Sequence, residues 1–569
     1  MNGAAAPSPV DPTAVAPLLV VRDLRVAFAA RGGVVTAVDG VDLAVHRGET
    51  VAVVGESGSG KSTVAHAIAG LVPRTGALLG GSVVFDGTEL TTLGRRELEA
   101  VRGREIGFVP QDPMSSLNPV WSVGFQVEEA IRANSVASSR RAVRSKAVEV
   151  VQQAGLSDAA RRLRLFPHQL SGGMRQRVLI GIGLSGEPKL LIADEPTSAL
   201  DMSVQRVVLD HLALLTRDRG TAVLLITHDL ALAAERSDRM VVMHRGRVVE
   251  VGSSREVFED PRHPYTRSLV RAASSPAGRS ALAVERRPPT AVSPTPAISV
   301  EALTKEFTIR RGPFARDTVV AVDAVTFEVA KGTTSALVGE SGAGKSTVAK
   351  MILRLLEPTS GRVVVDGRET GELAGRELLE LRRRMQPVFQ DPYGSLDPLR
   401  SVGESIAEPL VVHRVGDRSS RRARVAELLD QVALPAAFAS RFPNELSGGQ
   451  RQRVAIARAL ALNPDIVVLD EAVSALDVLS RAQVLELLSD LREQLRLTYL
   501  FISHDLALVR EISDEVCVMQ KGRIVERGRT AEVFAAPRDA HTRALLAAMP
   551  GAADPHGHAV FTEGDGRLG

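Results

Sequence analysis

The stretch "ETVAVVGESGSGKSTVAHAIAGLV", residues 49–72, contains a short apolar run, a glycine-rich loop and a helical pattern. Its loop, Gly55 to Ser62, matches G-x-x-x-x-G-K-[ST] in the strand–loop–helix context that this motif requires. Glycines let successive backbone N–H groups turn inward and hold phosphate oxygens at a helix N-terminus. We therefore predict an α/β fold of the P-loop NTPase type, with Lys61 reaching the β- and γ-phosphates of a nucleotide and Ser62 binding Mg²⁺.

An internal repeat contains this loop twice. "PQDPMSSLNP" pairs with "FQDPYGSLDP", "LIADEPTSALD" with "VVLDEAVSALD", and "LLITHDLAL" with "LFISHDLAL". Lys61 and Lys345 are 284 residues apart and His228 and His504 are 276 apart, so the spacing is nearly constant. The chain is therefore a tandem duplication. The predicted ATP-binding loop residues are Gly55, Glu56, Ser57, Gly58, Ser59, Gly60, Lys61, Ser62 and Thr63, and Gly339, Glu340, Ser341, Gly342, Ala343, Gly344, Lys345, Ser346 and Thr347.

The composition is that of a soluble protein with two domains. The chain has 569 residues, of which 44% are hydrophobic and 24% charged. The net charge of +3 arises from nearly equal numbers of both signs, and aromatic residues are 3%, so nothing indicates a nucleic-acid partner. The single cysteine, Cys517, excludes an intramolecular disulfide or a cysteine-only metal cage and is predicted to be a core residue.

Five segments are predicted along the chain. Residues 1–17 form a disordered leader, 18–271 the first domain, 272–296 a proline-rich linker, 297–549 the second domain and 550–569 a disordered tail. No apolar run approaches the roughly 20 residues that span a bilayer, and the leader lacks the basic region of a signal peptide. The expected location is therefore cytoplasmic.

Short apolar runs and helical patterns predict the architecture of each domain. "KLLIADE" and "AVLLITHD" are typical of central parallel strands that end in polar residues. Between Gln111 and Ser171 the pattern becomes helical, in "SVGFQVEEAIRA" and "RRAVRSKAVEVVQQAG". Each domain is therefore expected to be an α/β core with an inserted helical subdomain.

Paired acids end the first of these strands in each copy. Asp194 and Asp470 are predicted to hold Mg²⁺, directly or through water. The neighbouring Glu195 and Glu471 would polarise a water for in-line attack. The alternative is a pair of solvated loop acids, which the apolar strand and the upstream phosphate loop disfavour.

A histidine and a glutamine complete the predicted catalytic set. His228 and His504 follow apolar strands directly and would contact the γ-phosphate and the neighbouring glutamate. Gln111 and Gln390 lie where the core meets the helical insertion, and their amides would contact Mg²⁺ and the attacking water. Such a glutamine would also respond to a tilt of the insertion.

An aromatic residue precedes each phosphate loop by roughly 30 residues. Phe28, in "LRVAF", and Phe307, in "LTKEF", are candidates for stacking on adenine. The alternative is that each is a core residue at the end of a strand.

Together these motifs resemble the ATP-binding cassette ATPases over nearly all of both domains, with Walker A, Q-loop, signature, Walker B, D-loop and H-loop in order. In that family two domains pair head to tail, and each ATP lies between the Walker A of one and the signature of the other. The resemblance implies that "LSGGQRQRV", through Ser447, Gly448 and Gly449, closes the site of Lys61. "LSGGMRQRV", through Ser171, Gly172 and Gly173, would close the site of Lys345. Asp201 and Asp477, in "SALD", would communicate across the interface.

Three further stretches, "QDPMSSLNP", "QDPYGSLDP" and "PRHPYTRSLV", resemble the oligopeptide, dipeptide and nickel importer ATPases, here as a fusion of the usual pair. Two features depart from that pattern. The linker lacks the four cysteines that many first-type subunits carry, so no iron–sulfur cluster is expected. The second domain reads "PRDAHTRALL", with His541 where the family often has tyrosine.

The resemblance implies an ATP- and Mg²⁺-dependent ATPase that drives an importer for peptides or related small solutes. Such a subunit would lie on two membrane permeases at the cytoplasmic face of the membrane, with an extracytoplasmic solute-binding protein as an indirect partner. The alternative is a soluble twin-cassette ATPase that acts on ribosomes or DNA. The short, proline-broken linker and the lack of zinc cysteines disfavour it, and the Q-loop sequences disfavour an exporter. The sequence does not name the solute.

Overall fold

The computed structural model describes residues 16–30, 33–73, 75–197, 202–273, 295–310, 316–340, 342–389, 392–474 and 476–547. The described residues form two compact units. The first lies within Met1–Pro288, Phe389–Leu462 and Ala472–Leu491, and the second within Pro289–Val388, Asn463–Glu471 and Arg492–Gly569. The domain limits that follow the repeat stay a prediction. Most of the predicted leader and linker and all of the predicted tail lie outside the described residues.

The first repeat contains ten strands and ten α-helices among its described residues. The strands are β1 (Leu19–Ala30), β2 (Gly33–Val45), β3 (Thr50–Val54), β4 (Gly76–Phe85), β5 (Thr88–Glu89), β6 (Ile106–Val109), β7 (Leu190–Asp194), β8 (Ala222–Thr227), β9 (Arg239–His244) and β10 (Arg247–Ser253). The helices are α1 (Lys61–Ile68), α2 (Arg95–Val101), α3 (Val123–Ala133), α4 (Arg140–Gln153), α5 (Ala159–Arg162), α6 (Gly172–Leu184), α7 (Met202–Arg219), α8 (Leu230–Arg236), α9 (Ser254–Glu259) and α10 (Pro264–Ala273).

The second repeat follows the same order of elements. Its strands are β11 (Ile298–Arg310), β12 (Arg316–Val329), β13 (Thr334–Val338), β14 (Ser360–Val365), β15 (Arg368–Glu369), β16 (Met385–Val388), β17 (Ile466–Asp470), β18 (Thr498–Ser503), β19 (Glu515–Gln520) and β20 (Arg523–Arg529). Its helices are α11 (Lys345–Ile352), α12 (Gly375–Arg384), α13 (Pro392–Ser395), α14 (Val402–Val412), α15 (Arg418–Gln431), α16 (Gly448–Leu460), α17 (Val478–Leu495), α18 (Leu506–Ile512), α19 (Thr530–Ala535) and α20 (Ala540–Ala547).

A six-stranded sheet forms the centre of each repeat. Its order is β10-β9-β3-β8-β7-β6 in the first repeat and β20-β19-β13-β18-β17-β16 in the second. All neighbours pair in parallel except the antiparallel edge strands β10 and β20. The predicted α/β class and central parallel strands are confirmed. Because parallel strands end at the same edge of a sheet, the residues that follow β3, β7 and β8 lie together.

An antiparallel sheet packs on each central sheet. It was not predicted from the sequence. In the first repeat its order is β2-β1-β4-β5, and in the second it is β12-β11-β14-β15. Its inward residues share one apolar core with the central sheet and α1, including Leu24, Val26, Val38, Val53 and Ile68. At the end of β2 the apolar residues Val41, Leu43 and Val45 recur at every second position and are buried. This alternation was a sequence signal that could have revealed the sheet.

The predicted helical insertion has a core of its own in the first repeat. Helices α3, α4 and α6 pack around buried residues such as Val127, Ile131, Ala147, Val151 and Val178. In the second repeat α14, α15 and α16 pack together in the same way. Both patterns predicted to be helical in the first insertion are helices in the structure.

Two further expectations concern single features of the fold. Cys517 is buried in β19, and burial raises the pKa of its thiol to about 12, as expected for an unreactive core residue. Across the described ranges, no helix is both long and apolar enough to cross a membrane.

The first helical insertion meets the central sheet at two glycines. A Cβ atom added to Gly107, on β6, would lie 2.2 Å from the carbonyl oxygen of Gly183, on α6. Only a residue without a side chain permits this approach of helix to strand. The contact holds α6, which begins at the "LSGG" stretch, against the strand that leads to Gln111.

We expect Gly107→Ala to destabilise the first repeat by about 1–3 kcal/mol, because overpacking against backbone cannot be relieved by a rotamer change. Thermal unfolding of the full chain should show a melting temperature several degrees lower. Gly80→Ala is the matched control, since a Cβ atom at Gly80 meets nothing within 4 Å. Equal melting temperatures for the two variants would contradict the close α6–β6 approach.

Candidate functional site

The loop between β3 and α1 has a conformation that requires glycine. Gly60, the residue before α1, has φ +99°, in the left-handed region. A Cβ atom there would lie 2.4 Å from the carbonyl oxygen of Ala37. The loop therefore folds back over the N-terminus of α1, where backbone N–H groups are available to an anion. Gly344 has the same conformation before α11, with φ +101°.

A buried lysine spans each loop. Lys61 is 4% exposed, and its Nζ atom donates to the carbonyl oxygens of Gly55 at 2.8 Å and Glu56 at 2.7 Å. Lys345 donates to the equivalent carbonyls of Gly339 and Glu340 at 2.8 and 2.9 Å. Burial lowers the pKa of Lys61, and nearby carboxylates, Glu195 first, act in the opposite direction. This lysine is therefore held within its loop, in reach of a phosphate bound there.

The predicted metal ligands meet in both repeats. Ser62 Oγ donates to Asp194 Oδ1 at 3.0 Å, and Ser346 Oγ donates to Asp470 Oδ1 at 3.1 Å. Burial raises the pKa of both aspartates. A hydroxyl and a buried carboxylate are hard oxygen donors, and a divalent cation would offset the cost of burying the charge. The chemistry of the pair therefore fits Mg²⁺.

The first predicted catalytic glutamate is held between two side chains. Glu195 Oε2 accepts a hydrogen bond from Gln111 Nε2 at 2.7 Å, and its Oε1 lies 3.2 Å from His228 Nδ1. Burial alone would raise the pKa of Glu195, but the hydrogen bond and charge of His228 and the charge of Lys61 lower it overall. Glu195 is therefore ionised at neutral pH, as a water-polarising group requires.

The second glutamate has the same histidine contact among the described residues. Glu471 Oε1 lies 3.3 Å from His504 Nδ1, and its pKa is also lowered overall against the effect of burial. Glu195 and Glu471 have φ +44° and +48°, which non-glycine residues adopt rarely. Such backbone outliers concentrate at functional sites, where the surrounding structure fixes them.

Not every predicted site residue is described. Ser341, Gln390 and Asp201 lie outside the described residues. The two adenine candidates differ. Phe28 is half-buried in β1 and packs against the core, whereas Phe307 is 40% exposed in β11, with Lys305 Nζ 5.5 Å from its ring centroid. Stacking on adenine stays a prediction for both.

Each signature serine begins a helix of 13 residues. Ser171 Oγ accepts a hydrogen bond from the N–H of Met174 at 3.4 Å, and Ser447 Oγ accepts one from Gln450 at 3.3 Å. Only Gln450 also returns a bond, because its Oε1 accepts from the N–H of Ser447 at 3.0 Å. The cap is thus reciprocal in α16 and one-sided in α6. Backbone N–H groups at a helix start can bind an anion. Gly172, Gly173 and Gly448 are half-buried at these helix starts, whereas Gly449 is buried.

Residues of the second repeat reach the first phosphate loop within the first unit. Leu479 packs against the cluster that contains Ala52 and Val54 of β3. The charge of Asp477 acts on both Glu56 and Lys61. Closure of each site by the signature serine and glycines of the other repeat stays a prediction.

One contact at the first loop was not predicted from the sequence. The hydroxyl of Tyr265, on α10, accepts a hydrogen bond from the N–H of Glu56 at 3.0 Å. The residue lies within "PRHPYTRSLV", one of the stretches that resemble the importer ATPases. Since the two residues are 209 positions apart, only the folded chain reveals their contact.

The family follows from a match to known sequences. A family model described as "ABC transporter" matches residues 38–198 and 322–474. The chain belongs to the ABC transporter family. It is accordingly an ABC ATPase with two cassettes, as predicted. A second model, "Oligopeptide/dipeptide transporter, C-terminal region", matches residues 249–297 and confirms the predicted subfamily.

Several relatives match nearly the whole chain. The chain is 43% identical to the glutathione import ATP-binding protein GsiA of Salmonella choleraesuis, over 95% of this ABC ATPase and 90% of the relative. It is 44% identical to GsiA of Pectobacterium atrosepticum, over 94% and 90%. A solved structure described as a dimeric post-hydrolysis state of an ATP-binding cassette with ADP and Pi matches with 32% identity, covering 41% of this chain and 98% of its own, with a TM-score of 0.38.

The neighbouring acids of the first site should affect stability in opposite directions. Because the pKa of Asp194 is raised by folding, its ionisation costs stability as the pH rises above the ordinary aspartate value. The pKa of Glu195 is lowered by folding, so its charge stabilises the fold at pH values above the ordinary pKa of glutamate. This stabilisation is lost as the pH falls through the lowered pKa. At pH 7, without nucleotide or Mg²⁺, Asp194→Asn should raise the melting temperature and Glu195→Gln should lower it.

The second site supplies the control for this comparison. Asp470 and Glu471 have pKa values shifted in the same directions, so Asp470→Asn and Glu471→Gln should repeat the two signs. Shifts of the same sign for an aspartate and its neighbouring glutamate would contradict the assigned electrostatics.

Proposed function

We propose that this ABC ATPase powers the import of peptides or related small solutes, with ATP and Mg²⁺ bound in both cassettes. The observation that carries the proposal is the ionised Glu195 held between Gln111 and His228, beside the Ser62–Asp194 pair. The match of residues 249–297 to the C-terminal region of oligopeptide and dipeptide transporters supports the importer class.

Each site residue of a cassette has a separate role in hydrolysis. In the first cassette, the N–H groups of the loop and the ammonium of Lys61 would hold the phosphates, and Ser62 and Asp194, which are hydrogen-bonded to each other, would hold Mg²⁺. When bound, Mg²⁺ neutralises charge that develops on the phosphate oxygens. Glu195 orients a water for in-line attack, and His228 fixes Glu195 and contacts the γ-phosphate. In the second cassette the same roles belong to Lys345, Ser346, Asp470, Glu471 and His504.

Closure of the two cassettes couples this chemistry to transport. ATP bridges the Walker A loop of one cassette and the signature of the other, so binding favours the closed state and hydrolysis removes the bridge. Two membrane permeases, on which the chain lies at the cytoplasmic face, respond to this cycle. An extracytoplasmic solute-binding protein delivers the solute, and neither nucleic acid nor an iron–sulfur cluster takes part. The alternative, an ATPase acting on ribosomes or DNA, is disfavoured by the transporter-specific match.

Glutathione is the first solute to test. Two relatives that match more than nine-tenths of this chain are named as glutathione import proteins. Glutathione is itself a small peptide, which agrees with the peptide-transporter match. Reconstituting the chain with its permeases and solute-binding protein should give ATP-dependent uptake of labelled glutathione or short peptides into vesicles. Uptake of neither class would contradict the proposed solute.

Both sites are expected to hydrolyse ATP. Glu195→Gln and Glu471→Gln, made singly in the reconstituted transporter, should each reduce ATP turnover and uptake by about 10²- to 10⁴-fold, the usual contribution of a general base. Glu372→Gln, at an exposed position outside the predicted site motifs, is the matched control and should retain full activity. If either single variant at the sites keeps wild-type turnover and uptake, that site is not required.

A further inference from the structure

Helix α10 contacts the first phosphate loop through one hydroxyl group. Tyr265 accepts a hydrogen bond from the backbone N–H of Glu56 at 3.0 Å. The carbonyl oxygen of the same Glu56 accepts from Lys61 Nζ at 2.7 Å. Two hydrogen bonds through the backbone of one residue therefore link Tyr265 to the lysine of the loop.

The tyrosine is itself held in place. Its ring packs against His244 with centroids 4.0 Å apart, and its backbone N–H donates to His263 Nδ1 at 3.2 Å. Glu250, on β10, accepts from the N–H groups of Arg262 and His263 at 2.8 and 2.9 Å and so fixes the start of α10. Burial raises the pKa of Tyr265, so its hydroxyl stays neutral at physiological pH. These contacts fix the position of the hydroxyl that binds the backbone of the loop.

The second repeat keeps the glutamate contacts but has a different residue at the position of Tyr265. Glu526 accepts from the N–H groups of Arg538 and Asp539 at 2.8 and 3.1 Å, as Glu250 does in the first repeat. At the position of Tyr265 stands His541, and at the position of His244 stands Gln520.

His541 does not replace the lost bond. Its Nε2 atom is buried and, among the described residues, has no hydrogen-bond partner. Glu340, the counterpart of Glu56, is exposed, whereas Glu56 is half-buried. The glutamate contacts that fix the start of α10 are therefore repeated before α20. Within the described part of the chain, however, only α10 has a side-chain hydrogen bond to its phosphate loop.

We propose that Tyr265 is a positioning residue that holds the first phosphate loop in its nucleotide-binding shape, and that His541 leaves the second loop without this restraint. The first site then binds Mg-ATP more tightly, because less ordering of the loop remains to be done on binding. The inference rests on the proposed assignment of both loops as ATP sites. One neutral hydrogen bond corresponds to about 3- to 10-fold in affinity.

The test isolates one site at a time in the full-length chain. In a Lys345→Ala background, Tyr265→Phe removes the hydroxyl but keeps the ring against His244, and the Kd for a fluorescent Mg-ATP analogue should rise about 3- to 10-fold. In a Lys61→Ala background, the matched variant His541→Phe should leave the Kd unchanged. With both lysines intact, Tyr265→Phe should raise the KM for ATP while kcat and the melting temperature change little, which a merely structural role would not produce.

Two results separate this inference from the site assignment. If the Lys61→Ala, Lys345→Ala double variant still binds the analogue with wild-type affinity, the loops are not the ATP sites. If the double variant loses binding while Tyr265→Phe changes the first-site Kd by less than twofold, only the role of Tyr265 is overturned. An equal rise in Kd for Tyr265→Phe and His541→Phe would also overturn it, since the proposed difference between the two repeats would be absent.

Discussion

A buried ammonium group is the constraint on which each cassette depends. A charge removed from water needs partners, and Lys61 finds two in the carbonyl oxygens of its own loop. This is possible only because glycines such as Gly60 let the loop fold back over the start of α1. The two carbonyl oxygens hold the ammonium group beside the end of β3, where the loop begins.

The same edge of the sheet separates two acids that follow each other in sequence. Asp194 faces Ser62 in a setting whose burial disfavours its charge, whereas Glu195 faces His228 and Gln111, which favour it. The left-handed backbone of Glu195 accompanies this division. Neighbouring carboxylates thereby acquire different protonation behaviour, which suits one to a metal ion and the other to a water molecule.

Duplication has not made the two halves identical. The helix that begins at Ser447 has a reciprocal cap through Gln450, while the equivalent position in the first repeat is Met174. Conversely, the first phosphate loop has a tyrosine restraint where the second repeat has His541. In the proposed closure, in which each loop faces the signature of the other repeat, the Lys61 site would combine the restrained loop with the fully capped helix. The two differences would therefore act together on one site.

The sequence by itself determined the repeat, the strand–loop–helix units and the identities of the lysine, serine, acid and histidine residues, because each lies in a short motif with its own local pattern. The parallel direction of the central strands also followed from their continuous apolar runs, whereas their order in the sheet did not. The tertiary structure alone decided the bond between Gln111 and Glu195, which are 84 residues apart, and the contact of Tyr265 with Glu56, across 209 residues. The close approach of Gly107 to Gly183 belongs with these. Such contacts leave no periodic signal in the chain, since they arise where separate elements pack together.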